Sequence, residues 1–156
     1  KIAVNIEIKT EAVEGKIRDG IEEKCLKIVG KNSMREHVVF SSFDPRALKH
    51  LKQIDSFVAI AALFEKKHYG AKLPSEIVES LAADAFNCSH DELSKKWLTN
   101  LKANNIPVNI YTVNDKRNMR RFLKMGVNGI FTNKPDILKA VLADTKQIQE
   151  SESKSS

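Results

Sequence analysis

Residues 108–133 read VNIYTVNDKRNMRRFLKMGVNGIFTN. The stretch opens on a short apolar run, Val108 to Val113, and closes on another, Gly129 to Thr132. Between them, Asp115 to Met125 follows Asn114 and sets Met119, Phe122 and Leu123 on one side of a helix, with charges on the other. Gly126 is placed to end that helix in the left-handed conformation. A strand, a helix and a strand in this order predict two parallel strands joined by a right-handed crossover.

The same unit repeats upstream. Ile2 to Ile8, His37 to Ser41, Phe57 to Leu63 and Ala83 to Cys88 are short runs largely free of charge, as parallel strands covered on both faces are. Helical spacing separates them. Val13 to Val29 carries Ile17, Ile21, Cys25 and Ile28 on one face. Pro45 to Ile54 starts with Asp44 as N-cap and Pro45 at the first helical position. Pro74 to Leu81 repeats the proline start, with Leu73 before it. His90 to Lys102 follows Ser89, with Glu92 completing a capping box and Leu93, Trp97, Leu98 and Leu101 inward. Lys134 to Asp144 closes the series, with Ile137, Leu138 and Val141 on one face.

Residues 1–145 therefore read as a single α/β domain of about six β-α units, and the polar tail 146–156 as disordered. A doubly wound open sheet and part of an eight-stranded barrel both fit this pattern. A whole barrel typically takes about 250 residues, against 156 here. Periodicity leaves the choice open.

The net charge of +6 suits anionic partners but sets no fold. Five of the basic residues, Lys116, Arg117, Arg120, Arg121 and Lys124, fall on one helix. Their spacing reads first as a solvated outer face, and no recognised nucleic-acid motif accompanies it. The two cysteines, Cys25 and Cys88, are in no metal-ligand spacing and read as reduced, packed thiols. No apolar run reaches the roughly 20 residues of a membrane-spanning helix. The chain opens at Lys1 without an initiator Met, so the natural N-terminus is expected upstream, and no export signal is in view. A cytoplasmic location is the working expectation.

Parallel α/β folds build their sites at the C-terminal ends of strands. The first strand ends Asn5-Ile6-Glu7-Ile8-Lys9, whose alternation sets Asn5, Glu7 and Lys9 on one face. One reading is a metal-ligating carboxylate beside a phosphate-binding lysine. The other is a buried Glu-Lys pair that only holds structure. Ser42 and Phe43 precede a helix start, where a capping turn suffices and an anion site is the alternative. Tyr111 either lines a pocket or fills the interior. The loop after Gly129 to Thr132 is either a phosphate site or a plain turn. Of the four histidines, His37, His50, His68 and His90, only His90 follows a strand, and they form no site in sequence. No Ser-His-Asp order or Cys-His pair is present either.

Four segments in order resemble the glycerophosphodiester phosphodiesterase family: Asn-Ile-Glu-Ile-Lys at 5–9, Ser-Ser-Phe-Asp-Pro at 41–45, Tyr-Thr-Val-Asn at 111–114, and Gly-Val-Asn-Gly-Ile-Phe-Thr-Asn-Lys-Pro-Asp at 126–136. The resemblance runs from about Ile2 to Leu142. It implies a (β/α)8 barrel of which this chain holds about six of eight units, its first strand being the family's third. It implies metal-assisted hydrolysis of glycerophosphodiesters to an alcohol and glycerol 3-phosphate. By the same resemblance Glu7 is a metal ligand, Lys9 faces the substrate phosphate, and Phe43 and Tyr111 shape the pocket, Tyr111 standing where the family usually has Trp. Asn133 and Asn128 stand where Asp is usual.

The family's His-Arg-Gly motif, its Glu-x-Asp metal pair and its second catalytic histidine are not in this sequence. The resemblance therefore implies no catalytic residue within the chain, and a divalent cation, Mg²⁺ or Ca²⁺, whose ligands lie mostly outside it. It implies a small-molecule glycerophosphodiester as substrate and the N-terminal part of the same barrel as the missing partner. Without it, the outer strands would present open edges. A non-catalytic remnant or interaction module is the first alternative, and a basic nucleic-acid-binding α/β domain, though no nucleic-acid partner is expected, the second.

Overall fold

The computed structural model describes residues 2–14 and 19–153. Six strands alternate with helices: β1 Val4–Glu7, β2 Val38–Ser42, β3 Ile60–Leu63, β4 Ala85–Ser89, β5 Val108–Tyr111 and β6 Gly129–Ile130. The helices are α1 Ile21–Lys31, α2 Pro45–Ile54, α3 Lys66–Tyr69, α4 Pro74–Leu81, α5 Lys95–Ala103, α6 Lys116–Met125 and α7 Pro135–Ser153. All five strand pairs are parallel, and the spatial order is β1-β2-β3-β4-β5-β6. A doubly wound sheet reverses strand order partway. An order that never reverses is the progression of a barrel, and these strands form a curled half-barrel of α/β type.

The convex face of the sheet meets the helices. Phe40, Ile60, Ala62, Phe86, Cys88, Val108 and Ile110 are buried there against Ala47, Leu48 and Leu51 of α2, Ile77 and Leu81 of α4, Leu101 of α5, and Met119 and Phe122 of α6. Each such aliphatic or aromatic side chain contributes roughly 1.5–3 kcal/mol on burial. Alternation sends Asn5, Ser41, Asn87 and Asn109 to the concave face, where Asn5 donates to Ser41 at 3.0 Å and Asn109 donates to Asn87 at 2.8 Å. A side chain at Gly129 would collide with the Asn109 amide, which would have to give way.

The N-terminal ends of the strands are clamped. Asp84, just before β4, donates its N–H to the Ile60 carbonyl at 2.8 Å and accepts the Ile60 N–H on its carboxylate at 2.8 Å. Asn128, just before β6, does the same to Val108, at 2.8 Å and 3.0 Å. The Asn128 role needs only a side-chain carbonyl oxygen, which an amide supplies as well as a carboxylate.

Several boundaries differ from expectation. Phe57 does not open β3. It lies in a turn with 95% of its surface exposed, and pairing begins at Ile60. The first helix starts at Ile21, capped by Gly20, and Ile17 lies outside the described residues. Its inward face is Glu22, Leu26 and Val29 rather than the face of Ile28, which is 60% exposed. Glu22 is buried because α1 crosses α2 there, with the His50 Nδ1 3.6 Å from its carboxylate. Ser89 caps no helix: it and Glu92 bond in a turn, and α5 starts later, at Lys95, capped by Ser94, whose hydroxyl accepts the Trp97 N–H. Asp115, not Asn114, caps α6. The expected disordered tail is helical as far as Ser153, since Lys146 to Glu152 contains neither Gly nor Pro and several good helix formers. No described helix is long and apolar enough to cross a membrane.

Candidate functional site

The C-terminal ends of the strands open into two adjoining cavities. The first, about 330 Å³, takes Asn5 and Glu7 from β1, Ser41 from β2, Phe43 after it, Leu63 from β3, Tyr111 from β5, and the segment 131–133 after β6. The second, about 430 Å³, shares Glu7 and Phe43 and adds Lys9, Glu65 and Lys67. Glu7 and Phe43 form the ridge between them. The four residues singled out from the sequence thus gather at one end of the sheet, with Lys9 reaching only the second cavity.

Strand alternation places Glu7. Ile8, its neighbour, is buried at 2% exposure, and its N–H donates to the Ser41 carbonyl at 2.8 Å, which holds the end of β1 against β2. Glu7 and Lys9 are both exposed, and neither makes an ion pair within the described residues. The alternative of a buried structural Glu-Lys pair is therefore set aside.

Phe43 is held by the turn that starts α2. The Ser42 hydroxyl donates to the Ile8 carbonyl at 2.6 Å and accepts the Asp44 N–H at 3.0 Å. Asp44 then caps α2 by accepting the Arg46 N–H at 2.9 Å and pairs with the Arg46 guanidinium at 2.6 Å. The hydrogen bonds from the Arg46 side chain hold the Asp44 carboxyl below the usual carboxylate range, against its burial. The turn is thus a capping turn, and it also aims Phe43 at the cavities.

Tyr111 forms an aromatic wall with Phe43, edge to face at 6.0 Å between centroids, and with Phe131 at 6.4 Å. Its hydroxyl donates to the Phe64 carbonyl at 3.3 Å. Burial holds the phenol well above its ordinary pKa, helped by Glu92, the Cys88 thiol, Glu7 and Glu65. It stays protonated, a donor rather than an anion, in any ordinary buffer.

The loop after β6 is tied to the loop after β5. The Asn114 side-chain oxygen accepts from the Thr132 hydroxyl at 3.1 Å and from the Asn133 N–H at 2.8 Å. Thr132 and Asn133 thereby line the first cavity, whereas Asn128 sits at the far end of the strands as a clamp. His90 lines neither cavity; its Nδ1 lies 3.0 Å from Asp91. His68 sits on α3, 3.5 Å from Glu65.

Among the lining positions not singled out beforehand are Phe131 and Glu65. Phe131 shares the face of Asn109 and Tyr111 through the pairing of Asn109 with Gly129, a register that sequence alone does not give. Glu65 lies two residues beyond Leu63 and is engaged by Lys67 at 2.9 Å. Alternation past the end of β3 was its only signal.

Among the described residues no three His, Cys, Asp or Glu side chains cluster as a metal site. Divalent Mg²⁺ or Ca²⁺ takes six or more oxygen ligands. Glu7 can supply one of them, so the described residues by themselves do not fit such an ion.

A sequence profile of the Glycerophosphoryl diester phosphodiesterase family matches residues 1–137. The Glycerophosphodiester phosphodiesterase of Caldanaerobacter subterraneus subsp. tengcongensis is 30% identical over 86% of this chain and 53% of its own length. That of Bacillus subtilis is 28% identical over 78% and 44%. The chain spans about half the length of the curated relatives it matches. Among solved structures, a glycerophosphodiester phosphodiesterase from Parabacteroides distasonis superposes with a TM-score of 0.76 at 19% identity, over 92% of this chain and 59% of that one. An Oleispira antarctica phosphodiesterase in complex with the product sn-glycerol-3-phosphate superposes with a TM-score of 0.65 at 19% identity, over 78% and 50%.

Proposed function

The chain belongs to the glycerophosphoryl diester phosphodiesterase family, and from that premise we propose that the natural protein carrying it hydrolyses glycerophosphodiesters to an alcohol and glycerol 3-phosphate, in a reaction that needs a divalent cation, Mg²⁺ or Ca²⁺. The observation that carries the reading is the meeting of Glu7 and Phe43 with Tyr111 on one side and Lys9 on the other, at the C-terminal ends of parallel strands. Lys9 is a strongly hydrated point charge suited to a non-bridging oxygen of the diester. The wall of Phe43, Tyr111 and Phe131 gives the carbon skeleton of the substrate an apolar surface, and the side chains of Asn5, Ser41 and Thr132 beside it offer partners for hydroxyls. The glycerol 3-phosphate complex of the Oleispira protein supports a small substrate of this chemistry.

Glu7 would supply one oxygen ligand of the cation. The remaining ligands and the groups that move protons would come from parts of the barrel that this chain does not supply. The test is phosphorus NMR of the natural protein with glycerophosphocholine and glycerophosphoethanolamine. Release of glycerol 3-phosphate is the expected result. Phosphocholine as product, or no turnover of any glycerophosphodiester, overturns the reading.

A further inference from the structure

The positive charge of this chain is concentrated on one helix. Lys116, Arg117, Arg120, Arg121 and Lys124 lie within ten residues of α6, which contains no acidic residue. Without them the chain would carry 21 basic side chains against 20 acidic, close to neutral. All five are exposed. They stand one turn apart as like charges, at 116 and 120, 117 and 121, and 120 and 124, an arrangement that weakens a helix. Only Arg120 is engaged by a carboxylate among the described residues, Asp144 at 2.8 Å, while Arg121 lies over the ring of Phe122 at 5.0 Å.

The band has a fixed orientation. Met119 and Phe122 bury the opposite side of α6 in the core, so the charges face outward as a strip about 15 Å long. The helix starts just after β5, whose Tyr111 lines the first cavity. Lys116 and Arg117 therefore sit at the end of the sheet that carries the cavities. A clustered basic face on an amphipathic helix fits the plane of anionic lipid head groups. It has no exposed aromatic residue on which bases would stack, as single-stranded nucleic-acid sites do.

We propose that α6 is a docking face for an anionic phospholipid surface, which holds the barrel with its cavities beside the membrane. The proposal does not rest on the hydrolase reading, because docking is measured without substrate. The test is co-sedimentation of the natural protein with phosphatidylcholine vesicles, with and without phosphatidylglycerol. The protein should sediment only with the anionic vesicles and detach as salt rises from about 0.1 M to about 1 M. A variant combining Lys116→Gln, Arg117→Gln and Lys124→Gln should bind on the order of 100-fold more weakly, with an unfolding midpoint that stays level or rises as the like charges are removed. A variant combining Lys116→Arg and Lys124→Arg should bind as the natural protein does. Equal binding to neutral vesicles, no binding to anionic ones, full binding by the glutamine variant, or stronger binding to duplex RNA at matched phosphate concentration overturns it.

Discussion

At the N-terminal ends of the strands the polar side chains are used up, and at the C-terminal ends Glu7 and Lys9 are left over. Asp84 and Asn128 each donate one hydrogen bond to the first residue of the neighbouring strand and accept one from it, and Lys102 donates to the Met125 carbonyl at 2.8 Å. At the other end Glu7 and Lys9 face open cavities with no ion-pair partner among the described residues, beside an aromatic wall that is only half-buried. Saturated polar groups contribute to folding, while unsaturated ones are available to a ligand. The same six strands thus divide between one end that holds the sheet and one end that can act, as (β/α)8 barrels do.

Chelation should separate the two ends most widely. Removing divalent cations from the natural protein is expected to remove most of its glycerophosphodiester turnover, with recovery on adding Mg²⁺ or Ca²⁺. Turnover that survives exhaustive chelation would detach the upper end from metal chemistry. Next in size is the core beneath both ends. Phe86, with no exposed surface, meets Phe64 and Trp97, and Phe86→Ala should cost about 3–5 kcal/mol of unfolding free energy in urea.

The clamps come next. Asp84→Ala leaves the Ile60 N–H without its acceptor and should cost about 1–3 kcal/mol, whereas Asp84→Asn, which keeps an oxygen there, should recover most of it. Equal loss in both would show that the charge, through Lys52 at 3.2 Å, matters more than the acceptor. The smallest effect concerns Asp44. Its folded pKa lies below the ordinary 3.8, so its contribution is intact above that value and drains as pH falls through the lower folded one. Urea midpoints followed from pH 6 down to about pH 2 should fall less steeply in Asp44→Ala than in the natural protein. Parallel curves would remove Asp44 from the acid response.

Much of this division is legible in the sequence, for reasons that can be traced to residues. Parallel strands covered by helices write themselves as apolar runs, so β2, β4 and β5 fall close to where expected. Phe57 misleads because an apolar residue before a strand looks like its first member, yet only backbone pairing decides where the strand begins. Glu22 and Ile28 mislead in the opposite sense: the crossing of α1 and α2 buries a carboxylate and exposes an isoleucine, which periodicity cannot foresee. Alternation along β1 was enough to aim Glu7 and Lys9, and the turn residues Ser42 to Pro45 were enough to place Phe43. Phe131 and Glu65 needed the register between strands. That register is a tertiary fact.

The most direct test of the account is Glu7→Gln in the natural protein, with turnover and the urea midpoint measured on the same preparation. Among the described residues Glu7 is exposed and makes no ion pair, so the midpoint should not move, while glycerol 3-phosphate release should fall by more than about 10-fold. Undiminished release would contradict the assignment of the upper end as the reacting one, and a collapsed midpoint would show that Glu7 holds the fold instead.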